Sequence, residues 1–311
     1  GESPIVTRLF TAKPFIICEI GSNWQTLDHA LESIAVAKSC GADAVKFQLF
    51  SPSALYGHCD GIDAYSLPLD YLPILKLKAD QEGIEFMCTA FSPELVLAVD
   101  PFVEVHKVAS SDACWPQLLE AVANTHKPVL LSTGAKTDAE IDQAFKRLFD
   151  GKRLVLQCTA AYPADYVDVS EIGRKYDGLS DHSLGYTACI EAARHGAKVI
   201  EKHFTAFPDL DTPDRPHSLT PAQFTRMVKL IRGEPVESEE KAMYLRHNRR
   251  LIATQHIPAG GVLTYGDNYG AYRSLADDTR GLSPLLWMSV EGKHARIDIE
   301  RGKPIGLGDF E

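Results

Sequence analysis

Short apolar runs alternate with amphipathic segments along the first three quarters of the chain, and this alternation limits the fold more than any other feature. The strand candidates are Pro14–Glu19, Asp43–Gln48, Ile84–Thr89, Glu104–Ala109, Pro128–Ser132, Leu154–Cys158, Gly178–Asp181 and Lys198–His203. Most of the intervals are amphipathic: Thr26–Cys40 carries Leu27, Ala30, Leu31, Ile34 and Ala37 at helical spacing, and Pro93–Ala98 and Asp138–Phe149 behave alike. Helix-start signals stand at Ser92 before Pro93-Glu94 and at Thr137-Asp138-Ala139-Glu140, and Gly41, Gly83, Gly151 and Gly196 mark helix ends. Eight β–α units in about 230 residues is the arithmetic of a closed (β/α)8 TIM barrel. A doubly wound open sheet is the competing α/β arrangement, and the regularity of the units favours closure. The interval from strand two to strand three is long, and its turn-rich Ser51–Leu69 reads as a loop over the strand ends.

The pattern stops near Gly233–Lys241, a charged stretch without periodicity. Three segments follow from this: a barrel over 1–235, a linker over 236–248 and a small β-rich unit over 249–311. In that unit Arg250–Thr254 reads as a strand, Pro258–Gly261 as a turn, and Gly302–Ile305 as the start of another strand. So small a unit is expected to pack on a neighbour.

A net charge of −10 argues against a nucleic-acid or anionic-membrane surface, but not against an anionic small substrate held by local lysines. No apolar run approaches a membrane span, and no signal-peptide pattern opens the chain. The seven cysteines form no CxxC, and Cys18, Cys88 and Cys158 lie in apolar runs, which suits a reduced, cytoplasmic protein. His58-Cys59 is a weak ligand pair, because sequence neighbours rarely share one ion.

His182 and His203 end consecutive strands joined by one expected helix, Leu184–Gly196. Strands so joined are parallel, and their C-terminal ends lie on one side. The two imidazoles therefore face one point, beside Ser180, Asp181, Glu201 and Lys202, as a divalent-metal site requires. The simpler alternative is that each His bonds to a loop. Lys46 and Lys107 sit inside apolar runs and need an opposite charge. That charge is either an internal carboxylate such as Glu19 or a bound anion. Lys107, Ser110, Ser132 and Ser180 suit a phosphate, and Lys46 with Thr89 a carboxylate. No Walker or GxGxxG motif is present, which disfavours a nucleotide. A metal, a phosphate pocket and a carboxylate pocket in one barrel suggest phosphoenolpyruvate.

The chain resembles the sialic acid synthase family, which condenses phosphoenolpyruvate with N-acetylmannosamine or related sugars. The likeness rests on Cys18-Glu-Ile-Gly, Ala44-Val-Lys-Phe-Gln, Gly83-Ile-Glu-Phe with Thr89, Lys107-Val-Ala-Ser, Leu131-Ser-Thr-Gly, Cys158-Thr with Tyr162-Pro, Leu179-Ser-Asp-His-Ser-Leu-Gly and Glu201-Lys-His-Phe-Thr. Asp214 and Ser218 continue it, and the tail from Arg249 resembles the family's antifreeze-like (SAF) domain, with Ile257-Pro-Ala-Gly-Gly, Asp267-Asn and Arg273.

The resemblance implies a transferase of carbohydrate biosynthesis, such as lipopolysaccharide or capsule assembly, acting as a homodimer that exchanges its SAF domains. It assigns His182 and His203 to Mn²⁺, with Mg²⁺ or Co²⁺ as alternatives. It assigns Lys107, Ser110, Ser132 and Ser180 to the phosphate, and Lys46 and Thr89 to the carboxylate. Glu19, Tyr162, Glu201 and Asp214 would face the sugar or the reacting water, Gln48 and Asp112 would lie at the substrates, and Arg273 would contact the sugar from a partner subunit. The chain departs from the family at Ser111-Asp112, Ala160 and Thr212, on the sugar side. A metal-dependent aldolase acting on a sugar keto acid, or a non-catalytic sugar- or phosphate-binding paralogue, are the competing functions.

Overall fold

The strands pair in parallel, each with its neighbour in sequence, and the eighth closes on the first. They are β1 Phe15–Gly21, β2 Ala44–Leu49, β3 Glu85–Ala90, β4 His106–Val108, β5 Val129–Ser132, β6 Arg153–Cys158, β7 Gly178–Asp181 and β8 Val199–His203. This computed structural model describes residues 4–9, 13–52, 55, 65–148, 152–234, 249–273 and 281–311. The chain divides into two compact units, Gly1–Pro235 and Val236–Glu311. His58-Cys59, most of the loop after β2, Gly151 and the linker over 236–248 lie outside the described residues.

Strands covered on both faces read as continuous apolar runs, and β1 is buried at every position. Inside the barrel Phe15, Ile17, Met87, Leu130, Leu154 and Val199 pack together, joined by Ile5, Val6 and Leu9 of the leading helix Pro4–Leu9. That helix escaped the sequence reading. A larger apolar layer lies between strands and outer helices.

The helices begin where short polar side chains can satisfy free backbone N–H groups. Thr26 caps Leu27–Ser39, Ser92 caps Pro93–Val99, and Thr137 forms a capping box with Glu140 at Asp138–Arg147. Gly83 ends Tyr71–Glu82 at φ 64°, a left-handed conformation that favours glycine. Two expectations need correction. The helix between His182 and His203 is shorter than Leu184–Gly196, spanning Thr187–Arg194. No helix follows β6 among the described residues 159–177, where Pro163, Asp165, Asp168 and Gly173 interrupt helical spacing.

In the second unit β9 Arg250–Ala253 pairs antiparallel with β10 Tyr269–Tyr272. Its core holds Leu251, Ile257, Leu263, Tyr269, Val290, Ile299 and Ile305. The stretch from Gly302 makes only an isolated bridge, Ile252 to Pro304, because proline has no N–H to extend a ladder. β10 was not anticipated, since Gly270 breaks its apolar run.

Candidate active site

The strand ends surround a cavity of about 430 Å³. Thirteen of the fifteen residues assigned above to the metal, the substrates or the reacting water line it: Glu19, Lys46, Gln48, Thr89, Lys107, Ser110, Ser132, Tyr162, Ser180, His182, Glu201, His203 and Asp214. Two do not. Asp112 lies in a short turn behind Ser110, and Arg273 is an exposed residue of the second unit.

Barrel register sets the rows of the site. Glu19 pairs with Lys46 on one side and His203 on the other, Thr89 pairs with Gln48 and Lys107, and Ser180 with Cys158 and Glu201. Lys46 Nζ lies 2.6 Å from Glu19 Oε2 and 3.6 Å from Glu201 Oε2, and donates to Thr89 Oγ1 at 3.0 Å. Lys107 Nζ lies 3.7 Å from Glu201 Oε1. Gln48 Nε2 donates to Glu19 Oε1 and Ser180 Oγ to Glu201 Oε1, each at 2.8 Å. The internal carboxylate partners considered from the sequence are thus real.

The two carboxyl groups are driven apart. Burial pushes Glu19 up to about 7, with repulsion from Glu201 adding to it and Lys46 opposing. Burial also acts on Glu201, but Lys107, Lys46 and the Ser180 hydroxyl outweigh it and hold Glu201 well below the usual carboxylate range. Glu201 shares both lysines, whereas Glu19 touches only one. A pair separated in this way offers one group for proton transfer near neutral pH and one fixed charge.

Ser132 Oγ is buried without a protein hydrogen-bond partner among the described residues. Ser110 Oγ accepts from Gly134 N at 2.8 Å, and a Cβ at Gly134 would fall 2.9 Å from that oxygen. The β5 turn therefore passes close to Ser110 only because residue 134 has no side chain.

The third cluster is made of imidazoles. His182 Nδ1 lies 3.1 Å from the Thr159 carbonyl, which can only accept, so Nδ1 carries the proton and Nε2 keeps a lone pair. His203 Nδ1 lies 3.8 Å from Asp214 Oδ2, and His217 Nε2 lies 3.7 Å from Asp214 Oδ1. His217 was missed. It sits in the loop after β8, where neither strand nor helix spacing marks it, and only its place three residues after Asp214 could have drawn notice. Burial lowers His182 and His217 and takes His203 down to about 3, so all three rings are neutral at pH 7.

The loop after β1 holds this cluster. Ser22 N donates to Asp214 Oδ2 at 2.8 Å, and Asn23 Nδ2 donates to Phe204 O and Ser218 Oγ. Thr212, one of the departures from the family pattern, donates to Asn23 Oδ1 at 2.7 Å. β1 shifts register between Glu19 and Gly21. A Cβ on Gly21, at φ 54°, would fall 2.4 Å from Asp214 Oδ2 and 3.3 Å from His203 Cε1. Glycine there leaves room for the carboxylate.

Known proteins resemble this chain in sequence and in fold. The pseudaminic acid synthase of Campylobacter jejuni is 31% identical over 337 aligned positions, which cover 96% of this chain and 97% of that protein. The N,N'-diacetyllegionaminic acid synthase of Legionella pneumophila is 32% identical, over 70% of this chain and 71% of that protein. Among solved structures, an N-acetylneuraminic acid (sialic acid) synthetase from Leptospira borgpetersenii, in complex with citrate, superposes with a TM-score of 0.68 at 27% identity. That match covers 76% of this chain and 92% of the other. The NeuB family model matches residues 33–240, most of the barrel, and the chain belongs to the NeuB family.

Proposed function

We propose that this protein joins phosphoenolpyruvate to a sugar aldehyde, giving a 2-keto-3-deoxy sugar acid and releasing phosphate. The observation that carries it is the pair of buried lysines, each set against an internal carboxylate, in a cavity shared with the unpartnered Ser132 hydroxyl and with the imidazoles of His182 and His203. Membership of the family supports the reaction class. The relatives are named for three different sugar acids, so the acceptor is assigned only as N-acetylmannosamine or a related amino sugar.

A divalent ion fits this site. His203 Nδ1 and His217 Nε2 are buried nitrogens with no hydrogen-bond partner among the described residues, and Asp214 stands between them. His182 and His203 would hold the ion, with Mn²⁺ the first candidate. When bound, it supplies Lewis acidity toward the sugar aldehyde oxygen.

The chain's own residues account for the rest. Lys107, Ser110, Ser132 and Ser180 bind the phosphate, and Lys46 and Thr89 bind the carboxylate. Both lysines then turn from their internal partners to the anion. The C2=C3 double bond of phosphoenolpyruvate opens, its electron pair joining C3 to the aldehyde carbon and leaving C2 electron-poor, while the aldehyde oxygen takes a proton from solvent water to become a hydroxyl. Water adds to C2 and loses a proton to Glu19, a base whose affinity for protons is matched to neutral pH. The C2–O bond to phosphate then breaks, leaving the ketone. Tyr162 and Asp214 position the sugar, and Glu201 keeps its charge to orient both lysines.

The second unit is assigned to the SAF type. It would reach the barrel of a partner subunit through Arg273, in a homodimer working in the cytoplasm. The defining experiment measures phosphate release from phosphoenolpyruvate with a panel of aldoses, with and without Mn²⁺. Release that needs both sugar and ion is expected. Cleavage of a sugar keto acid without phosphate release, or tight binding without turnover, would overturn the assignment.

A further inference from the structure

We propose that His217 is a third imidazole ligand of the bound ion, completing a set with His182, His203 and Asp214. This rests on the metal reading above but goes beyond the two histidines at the strand ends. His217 is buried at 5% exposure, and its Nε2 finds no hydrogen-bond partner among the described residues. A buried ring nitrogen without a partner is costly unless something else uses its lone pair.

The geometry shows what could use it. Ligand atoms of His203, Asp214 and His217 all lie within 4.8 Å of one another. The Asp214 contacts, at 3.7 and 3.8 Å, are too long for hydrogen bonds. They are near the spacing of two atoms that share one ion. The ring centre of His182 lies 5.5 Å from that of His203 and 6.3 Å from that of His217, so the strand-end imidazole borders the same space, although its nitrogens are not within 4.8 Å of all three ligand atoms. The local design agrees: Ser22 and Asn23 fix the Thr212–Ser218 loop at both ends, and Gly21 clears space beside Asp214. Three neutral imidazoles and a carboxylate suit a borderline divalent cation such as Mn²⁺, Co²⁺ or Zn²⁺.

The alternative is that His217 only packs behind His203 and Tyr162, whose ring centres lie 4.6 and 5.5 Å away. Mn²⁺ affinity, measured by calorimetry on the metal-stripped full chain, separates these roles. His217→Gln should weaken Mn²⁺ by on the order of a hundredfold and change the visible spectrum of the Co²⁺-loaded protein, while the metal-free melting temperature stays within a few degrees. Unchanged affinity and an unchanged Co²⁺ spectrum overturn the proposal. Pulsed EPR on the Mn²⁺ protein gives an independent answer: one coupled imidazole fewer in His217→Gln than in the unmutated protein supports the proposal, and an unchanged number overturns it. His182→Ala tests the underlying reading separately. If Mn²⁺ affinity falls in His217→Gln but not in His182→Ala, His217 stands and the strand-end pairing fails. If the unmutated protein binds no divalent ion, both fail.

Discussion

Lys46 and Glu19 form an ion pair at 2.6 Å with side chains only 4% and 2% exposed, and register places them side by side on adjacent strands. Removing one partner of a buried pair usually costs about 3–5 kcal/mol, because a bare charge is left behind. Here Glu19 already takes a proton near pH 7, so it can become neutral at little cost. Lys46→Met is therefore expected to melt close to the unmutated protein at pH 6, yet to lose binding of phosphoenolpyruvate. A fall of more than about 3 kcal/mol in denaturant-measured stability would show that the pair is mainly structural.

Lys107 faces a different balance. Its carboxylate, Glu201, is also held by Lys46 and Ser180. Lys107→Met should weaken phosphoenolpyruvate about ten- to hundredfold, since a charge-assisted hydrogen bond is worth about 1.5–3 kcal/mol. Sugar binding should change far less. Calorimetric titration beside a melting curve distinguishes this from a purely internal role, in which stability would fall and affinity would not.

Glu19→Gln keeps the bond from Gln48 within reach but removes the base. Turnover should fall by about 10²–10⁴ while phosphoenolpyruvate still binds. Single-turnover phosphate release is the measurement. Near-normal turnover would assign water activation to another group.

Stability should also fall with acid, for a reason far from the cavity mouth. His106 is buried at 1% exposure, 2.9 Å from Asp100 Oδ1, and burial lowers its affinity for protons against the pull of that carboxylate. The unfolded chain takes up this proton from about pH 6.5 downward, and the folded chain resists. The stabilisation is present above that pH and is lost as pH falls toward the folded value. One such group contributes a slope of up to about 1.4 kcal/mol per pH unit. His106→Gln should flatten the stability profile below about pH 6.5, measured by urea titration. An unchanged slope would mean that other histidines set it.

Arg273 is tested by complementation. Arg273→Ala and His182→Ala subunits, each inactive alone, should recover part of the activity when mixed, because one site of a mixed dimer keeps both residues. No recovery in subunits shown to exchange would assign Arg273 to its own barrel or to no catalytic part. Residues 274–280, which follow Arg273, lie outside the described residues.

What could be read from the chain follows from what repeats in it. Strands buried on both faces leave unbroken apolar runs, so all eight strands were legible, and the polar residue closing each run gave most of the cavity lining. His217 left no such trace. It becomes part of the site only when the loop after β8 folds back against Ser22 and Asn23 of the loop after β1, almost two hundred positions away in sequence. The missing sixth helix is a similar case: Tyr162 and Pro163 punctuate the segment, but alternation elsewhere invited a helix. Asp112, two residues after Ser110 in the same short turn, does not line the cavity.

The seam where β8 meets β1 has a consequence for biosynthesis. Glu19 lies against His203, and Ser22 holds Asp214, so the first and last barrel strands build one wall of the cavity together. A nascent chain of which only the first seven strands have emerged from the ribosome exposes neither His203 nor Asp214. Such a chain lacks two of the residues proposed to hold the ion. On that reading ion capture would report ring closure, which joins the most distant strands of the barrel and so is among its slowest contacts to form.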